Sequence, residues 1–413
     1  MPTSDHVVCL WLLNTVLSPL SGTPHCYRPR VYAFRSALSR LALLPLLALA
    51  LSSLAACDSG TSSSGIDLDR LFEAPTAAEI LAVQSDWAGR SNPSRDAQIV
   101  AQATFEGATI YIVSHTQTTV GGGDFTHYGI VRIPDGASDW PVVVYHHGGD
   151  DGISVTDALD VYSLFPMIEA NTVLVAPVYR SETLDADLSE LGGSYTAGGD
   201  PSPWDYDADD AIGFLSAALD LFPTETDAGR VGAFGISRGG ETALIQAVRD
   251  DRVQVITDYF GPADFFNIGA RILALNAVLG TAEEQAAVRS LSGGPYLVDE
   301  ILLPLHEDAY SYDDARLELV RRSPGLYGSM LPSTQLHHHV RDGVVPVQFS
   351  EAFITLIEDN PVDGTFDATI YGESGEASIL FHRPSAMPES IPATDQFLYD
   401  HLFVPTAAAA PML

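Results

Sequence analysis

The sequence predicts an α/β protein: a mostly parallel sheet flanked by helices. Three observations carry that expectation. First, the short runs PVVVYHH (141–147) and TVLVAPVYR (172–180) are apolar without alternation, as strands buried on both faces are. Second, DDAIGFLSAALDLF (209–222) places Ile212, Leu215, Leu219 and Phe222 at helical spacing. Third, strand-like and helix-like segments alternate from there to the C-terminal end, which a parallel sheet with helical crossovers requires.

In chain order, TAAEILAVQSDWAG (76–89) reads as an amphipathic helix. ATIYIVSHT and HYGIVRIP then form a strand pair around the turn-rich TTVGGGDF. The two apolar strands and the 209–222 helix follow. GRVGAFG is a strand, GGETALIQAVRDD a helix and VQVITDYFG a strand. TQLHHHV is a strand, PVQFSEAFITLIED a helix, FDATIYG a strand and TDQFLYDHL a last helix. One stretch breaks the rhythm. From about 264 to 330 no strand is expected, and NIGARILALNAVLG, TAEEQAAVRSL and SYDDARLELVRR all read as helices. A helical excursion between two strands is where a cap over a site belongs.

The chain has 413 residues, 46% of them hydrophobic, enough for one large core. Its formal net charge is -34, and all 20 basic residues are arginine. That charge excludes nucleic acid as a partner and electrostatic docking on anionic lipid. It suits an acidic, well-solvated surface, as in proteins of salty habitats, although a GC-rich genome alone also favours arginine. The three cysteines, Cys9, Cys26 and Cys57, all precede the globular part, which therefore has no thiol nucleophile, thiolate metal site or disulfide.

The N-terminal part reads as an export signal. Arg35 and Arg40 precede an apolar stretch too short to span a membrane, followed by LAAC at 54–57. LAAC resembles the bacterial lipobox, which implies lipidation of Cys57 and a place in the cell envelope, facing the periplasm or the cell surface. DSGTSSSG follows as a polar tether. Residues 1–57 are thus the signal and lipobox region, 58–66 the tether and 67–405 the folded domain. Residues 1–30 hold a second apolar run with no basic residue before it, so the true start is expected downstream, at Val31.

The candidate site begins at GISRGG (235–240). A G-x-S-x-G pattern gains mechanical meaning only at a strand-to-helix turn, and here VGAF precedes and ETALIQAV follows. Ser237 is therefore the candidate nucleophile, with the helix N-terminus beside it. A serine hydroxyl needs a base, an orienting acid and an oxyanion hole. HHGGD (146–150) ends a strand, so N–H groups of Gly148 and Gly149, with that of Arg238, are candidates for the hole. Asp342, between TQLHHHV and a helix, is the candidate acid. Two histidines follow it: His382 in a loop and His401 within the last helix, and the loop position favours His382.

With these residues in hand, the chain resembles the α/β-hydrolase superfamily, and within it the catalytic domain of the prolyl-oligopeptidase family and its dienelactone-hydrolase-like relatives. HHGGD looks like the family's oxyanion segment, GISRGG its elbow, and HHVRDGVVP its acid-bearing segment. VYR at 178–180 is similar to its arginine-bearing strand end. The resemblance implies an α/β-hydrolase fold over about 105–403, with His147 as a possible substrate contact; Tyr179 and Arg180, at a strand end, either contact substrate or serve structurally. Two departures stand out. The family places its histidine directly after a strand and a small glycine loop, where this chain reads GESGEAS and His382 comes later. There is also no room for the N-terminal propeller that restricts oligopeptidases to short peptides.

Two features invite metal readings. DYDADD (205–210) resembles the start of a calcium loop, but its sixth position is Asp210 and its twelfth Ser216, where the loop needs Gly and Glu. It reads better as an acidic helix start. His337, His338 and His339 alternate faces on a strand, so they cannot converge on one zinc ion. No metal and no cofactor is expected. The expectation is a lipid-anchored serine hydrolase acting through an acyl-enzyme on carboxylic esters or small acyl substrates. The alternatives are a serine peptidase on short peptides and a non-catalytic envelope lipoprotein on a hydrolase scaffold.

Overall fold

The computed structural model describes residues 65–119 and 121–404. The signal segment and Cys57 lie outside the described residues, as does all of the tether except Gly65 and Ile66. Ile66 is buried in the core, so the folded domain begins one residue earlier than the sequence suggests.

The strands are β1 (Gln98–Phe105), β2 (Ala108–Thr118), β3 (Asp124–Pro134), β4 (Trp140–His146), β5 (Ile153–Ser154), β6 (Val173–Pro177), β7 (Thr183–Ala186), β8 (Gly193–Thr196), β9 (Thr226–Ile236), β10 (Val253–Tyr259), β11 (Ser333–His339) and β12 (Phe366–Tyr371). Among the described residues, nine of them form one sheet in the order β1-β2-β3-β6-β4-β9-β10-β11-β12. The pairs from β1 to β6 run antiparallel, and every pair from β6 to β12 runs parallel. β5, β7 and β8 form a small second sheet. Neither it nor β1 is expected from the sequence. Strand β1 is an edge strand with most residues exposed or half-exposed, so it lacks a clear burial pattern.

The principal helices are α1 (Ala77–Gly89), α2 (Val155–Tyr162), α3 (Pro166–Asn171), α4 (Asp205–Leu221), α5 (Arg238–Arg249), α6 (Ile268–Leu279), α7 (Ala282–Arg289), α8 (Tyr312–Arg321), α9 (Gln348–Asp359) and α10 (Ser390–Phe403). The sheet separates two cores. Val142 and Val144 of β4 join one with α4, α5 and α9, while Val143 and Tyr145 join the other with α2, α3 and α10. Successive side chains of a strand point to opposite faces, so an unbroken apolar run is what a strand covered on both sides needs. Among the described residues no helix is long and apolar enough to cross a membrane.

Helices α6, α7 and α8, with shorter turns including a π-helical turn at Leu297–Leu302, occupy the interval between β10 and β11. The cap expected at about 264–330 thus contains no strand. It is tied to the N-terminal helix: Glu79 closes a capping box with Thr76 on α1 and accepts from Arg316 Nε of α8 at 2.6 Å.

The acidic start of α4 is not a solvated face. Asp205, Asp207, Asp209 and Asp210 are all buried, and each pairs with arginine: Asp205 and Asp209 with Arg90, Asp207 with Arg238 and Asp210 with Arg180. Asp209 also pairs with Arg249. The carboxylates that suggested a calcium loop are committed to guanidinium groups. Asp210 accepts from Arg180 Nε at 2.9 Å and Nη2 at 2.6 Å, with both side chains fully buried. Removing one partner of such a pair leaves a buried charge uncompensated, which costs about 3–5 kcal/mol. The substitution Asp210→Ala is therefore expected to lower the unfolding free energy by about that amount, measured by urea titration.

Candidate active site

Strand β9 ends at Ile236 and α5 begins at Arg238, leaving Ser237 alone on the turn between them. Its backbone sits at φ 58°, ψ −126°, a conformation sparsely populated by residues with a side chain. The turn is held by Ser237 N–H donating to Tyr259 O at 2.9 Å and Gly240 N–H to Ser237 O at 2.9 Å. It also depends on its glycines. A Cβ on Gly235 would overlap the carbonyl of Gly239, and one on Gly239 would overlap that of His146.

The loop after β4 packs directly against this turn. A Cβ on Gly148 would lie 2.8 Å from Ile236 O and 3.1 Å from Ser237 Cβ, so only glycine allows this approach. Gly149 has φ +83°. As the first residue of α5, Arg238 has a backbone N–H without an intrahelical acceptor, available beside Ser237.

The side chain of Arg238 does something the sequence reading missed. Its Nε donates to Asp207 Oδ2 at 2.9 Å and its Nη2 to Asp207 Oδ1 at 3.0 Å. Its Nη1 donates to Glu182 at 2.6 Å, Asp150 at 2.7 Å and Gly149 O at 3.1 Å. Asp150 in turn accepts from Ser292 Oγ at 2.6 Å and Gly293 N–H at 2.9 Å, both in the cap. One guanidinium therefore binds the elbow, the glycine loop and the cap. Burial pushes Glu182 up to about 7, against the pull of Arg238. It pushes Asp207 up to about 6 in the same way. The final aspartate of HHGGD was the one available signal of this network.

Of the two roles open to the possible substrate contacts, the packing shows the structural one. The His147 ring is buried and stacks on Tyr179 at 4.3 Å, with Nδ1 donating to Gly148 O at 3.1 Å. Burial keeps it neutral, with its pKa lowered to about 3. Tyr179 is fully buried, and its hydroxyl donates to His147 O at 3.1 Å. Arg180 is held by Asp210. None of the three lines the cavity at Ser237.

Asp342 follows β11. Its Oδ1 accepts from the N–H groups of Val344 at 2.7 Å and Val345 at 3.0 Å, and its Oδ2 lies 2.7 Å from His382 Nδ1. Burial works against the carboxylate, yet His382, His338 and the Val344 N–H together hold its pKa below the ordinary value. The long loop after β12 reaches Asp342 because it is pinned there. Ser378 N–H donates to Arg341 O at 3.0 Å and Gly343 N–H to Ser378 O at 3.2 Å. Gly343 approaches Ser378 so closely that a Cβ would come within 2.7 Å of its backbone. A turn at Ile379–Phe381 then presents His382, whose ring lies 4.5 Å from that of Phe260, next to the Tyr259 that holds Ser237. His401 points elsewhere: its Nδ1 bonds Phe397 O at 2.8 Å within α10.

The triple histidine diverges. His337 meets the Tyr371 hydroxyl, His338 lies between Ser350 Oγ and Val345 O, and His339 stacks on Phe381. Among the described residues no cluster of histidine, cysteine and carboxylates is arranged to hold a metal ion.

No family profile matches the chain, and no curated protein is similar to it. Solved structures do match. Acetyl xylan esterase 1 from Thermoanaerobacterium sp. JW/SL YS485 superposes with a TM-score of 0.50 at 16% identity, covering 81% of this chain and 98% of that one. The rice cell wall degrading esterase LipA from Xanthomonas oryzae gives 0.49 at 16% identity, over 76% and 100%. An acetyl xylan esterase from Paenibacillus sp. R4 gives 0.48 at 18%, over 79% and 99%. With the strand order above, the first of these likenesses identifies the α/β-hydrolase fold.

The strain at Ser237 has a measurable consequence. Glycine adopts this backbone without penalty, whereas alanine keeps the strain. Ser237→Gly is expected to be about 1 kcal/mol more stable than Ser237→Ala in urea unfolding, although both lack the hydroxyl.

Proposed function

We propose that the protein is a serine ester hydrolase working through an acyl-enzyme. The observation that carries this reading is the 2.7 Å contact between His382 Nδ1 and Asp342, together with a serine on a strained strand-to-helix turn. The displaced position of His382 in the sequence is the one support for a non-catalytic scaffold; its 2.7 Å bond to Asp342 supports the catalytic reading. In the reaction, Ser237 Oγ attacks the ester carbonyl as His382 Nε2 takes its proton. Asp342 fixes the tautomer with Nδ1 protonated and stabilises the imidazolium. The N–H groups of Gly149 and Arg238 stabilise the oxyanion. The carbon–oxygen bond to the alcohol breaks, and His382 returns the proton to the leaving oxygen. Water, deprotonated by His382, then cleaves the acyl-serine to release the acid and free Ser237. No cofactor enters these steps. An ester as substrate agrees with the acetyl xylan esterase that shares the fold.

Purified full-length protein should label with a fluorophosphonate, and Ser237→Ala should abolish the labelling. His382→Ala and Asp342→Asn should lower kcat on 4-nitrophenyl esters by about 10²–10⁴-fold while the fold persists by circular dichroism. A folded wild-type protein that neither labels nor hydrolyses any ester would overturn the reading.

The same proposal places the enzyme in the bacterial cell envelope, anchored through lipidated Cys57. The support is sequence alone: the basic and apolar segment, LAAC and the polar tether. Metabolic labelling with radioactive palmitate in a bacterial host should mark the wild type and not Cys57→Ser. Equal labelling of both would remove the anchor from the proposal.

A further inference from the structure

The cavity beside Ser237 has chemistry that the catalytic residues do not explain. It has a volume of about 90 Å³, is partly open to solvent, and has Ser237 and Arg238 in its wall. Its walls come from separate parts of the chain: Phe265 after β10, Leu273 of α6, Val288 of α7, Leu297 and Ile301 of the π-helical turn, and Phe349 of α9. The one guanidinium at its edge is committed to Asp207, Glu182 and Asp150, so it is not free to take a ligand carboxylate. A carboxylate placed there would lose its water with no free cation to compensate it, a penalty that an alkyl chain avoids.

The position of the cavity decides which half of an ester it holds. The alcohol must leave beside His382, which supplies its proton, and His382 does not line the cavity. Whatever fills the cavity stays attached to Ser237. Resting on the serine-hydrolase reading above, we infer that this cavity is an acyl-binding site selecting uncharged, short aliphatic acyl groups, with Ala274 and Leu297 setting their length. An apolar cavity of roughly 150 Å³ accommodates benzene. One of about 90 Å³ accordingly holds about three to four carbons beyond the carbonyl, a butanoyl or pentanoyl group. The enzyme is therefore an aliphatic acyl esterase, and acetyl groups leave its cavity empty.

The test is kcat/KM of the full-length protein across 4-nitrophenyl esters from acetate to decanoate, with the mono-4-nitrophenyl ester of succinate as a charged chain of similar length. Each methylene that enters the cavity should raise kcat/KM about fourfold. The wild type should therefore peak at butanoate or pentanoate, at least about tenfold above acetate, and decline beyond hexanoate. The succinyl ester should fall at least about tenfold below pentanoate. Ala274→Leu, which fills the cavity, should move the peak toward acetate, and Leu297→Ala should move it toward longer chains. Because the two variants act in opposite directions, a folding defect in one leaves the other to decide. If Ser237 labels with fluorophosphonate but acetate or the succinyl ester is the best substrate, the acyl-site inference is overturned and the hydrolase reading stands. If no ester reacts and Ser237 does not label, both fail.

Discussion

The guanidinium of Arg238 is the constraint on which the site depends. It sits one residue after Ser237, so wherever it is held, the nucleophile is held. Asp207 grips it from the start of α4 through two parallel bonds. Glu182, Asp150 and the Gly149 carbonyl take its remaining face. Gly149 and Asp150 belong to the glycine loop after β4, the proposed oxyanion loop, and Asp150 reaches on to Ser292 and Gly293 of the cap. Nucleophile, oxyanion loop and cap thus meet at one cation. Arginine suits this task because its planar fork offers five donors at fixed angles, where lysine offers a single point charge. The Tyr179 ring beneath the guanidinium, at 4.6 Å, adds a cation–π contact that lysine would make less well.

Much of this was legible from the residues, and the illegible parts have identifiable causes. The parallel strands announced themselves because burial on both faces leaves only apolar residues to choose from. Ser237 was readable because its turn needs glycine on both sides, and Asp342 because the histidine-rich strand before it and the helix after it bracket the position. The small sheet of β5, β7 and β8 was not readable, since strands of two to four residues carry no usable period. Nor was the role of HHGGD's aspartate, because a side chain that bridges distant segments leaves no local pattern. Whether His147, Tyr179 and Arg180 face substrate or brace the fold was not readable for a related reason. Aromatic and charged residues at strand ends suit a binding site and a buried brace equally, and only the packing separates the two. The loop bearing His382 lacked the family's short glycine turn, and the backbone bonds that replace it, between Ser378 and the 341–343 segment, have no signature in composition.

The strong negative charge divides into two populations with different physics. Exposed carboxylates lie within reach of counterions, and their mutual repulsion falls as salt rises. The carboxylates at the start of α4, and Glu182 beside Arg238, are buried and paired with arginine, where mobile ions have little access. Ionic strength therefore acts on the outside of the molecule and on its solubility, while the groups behind Ser237 keep their arrangement.

The cap enters and leaves the fold between two adjacent parallel strands, β10 and β11, and contributes neither Ser237, Asp342 nor His382. Most of the wall of the cavity beside Ser237 thus lies in the cap, and the proposed catalytic residues lie outside it. Mutations, insertions or recombination within the 264–330 interval can reshape that wall without touching Ser237, Asp342 or His382, provided the Ser292–Gly293 link to Asp150 survives. In evolutionary terms that link, like the Glu79–Arg316 pair, is a point where the two parts are not free to drift independently.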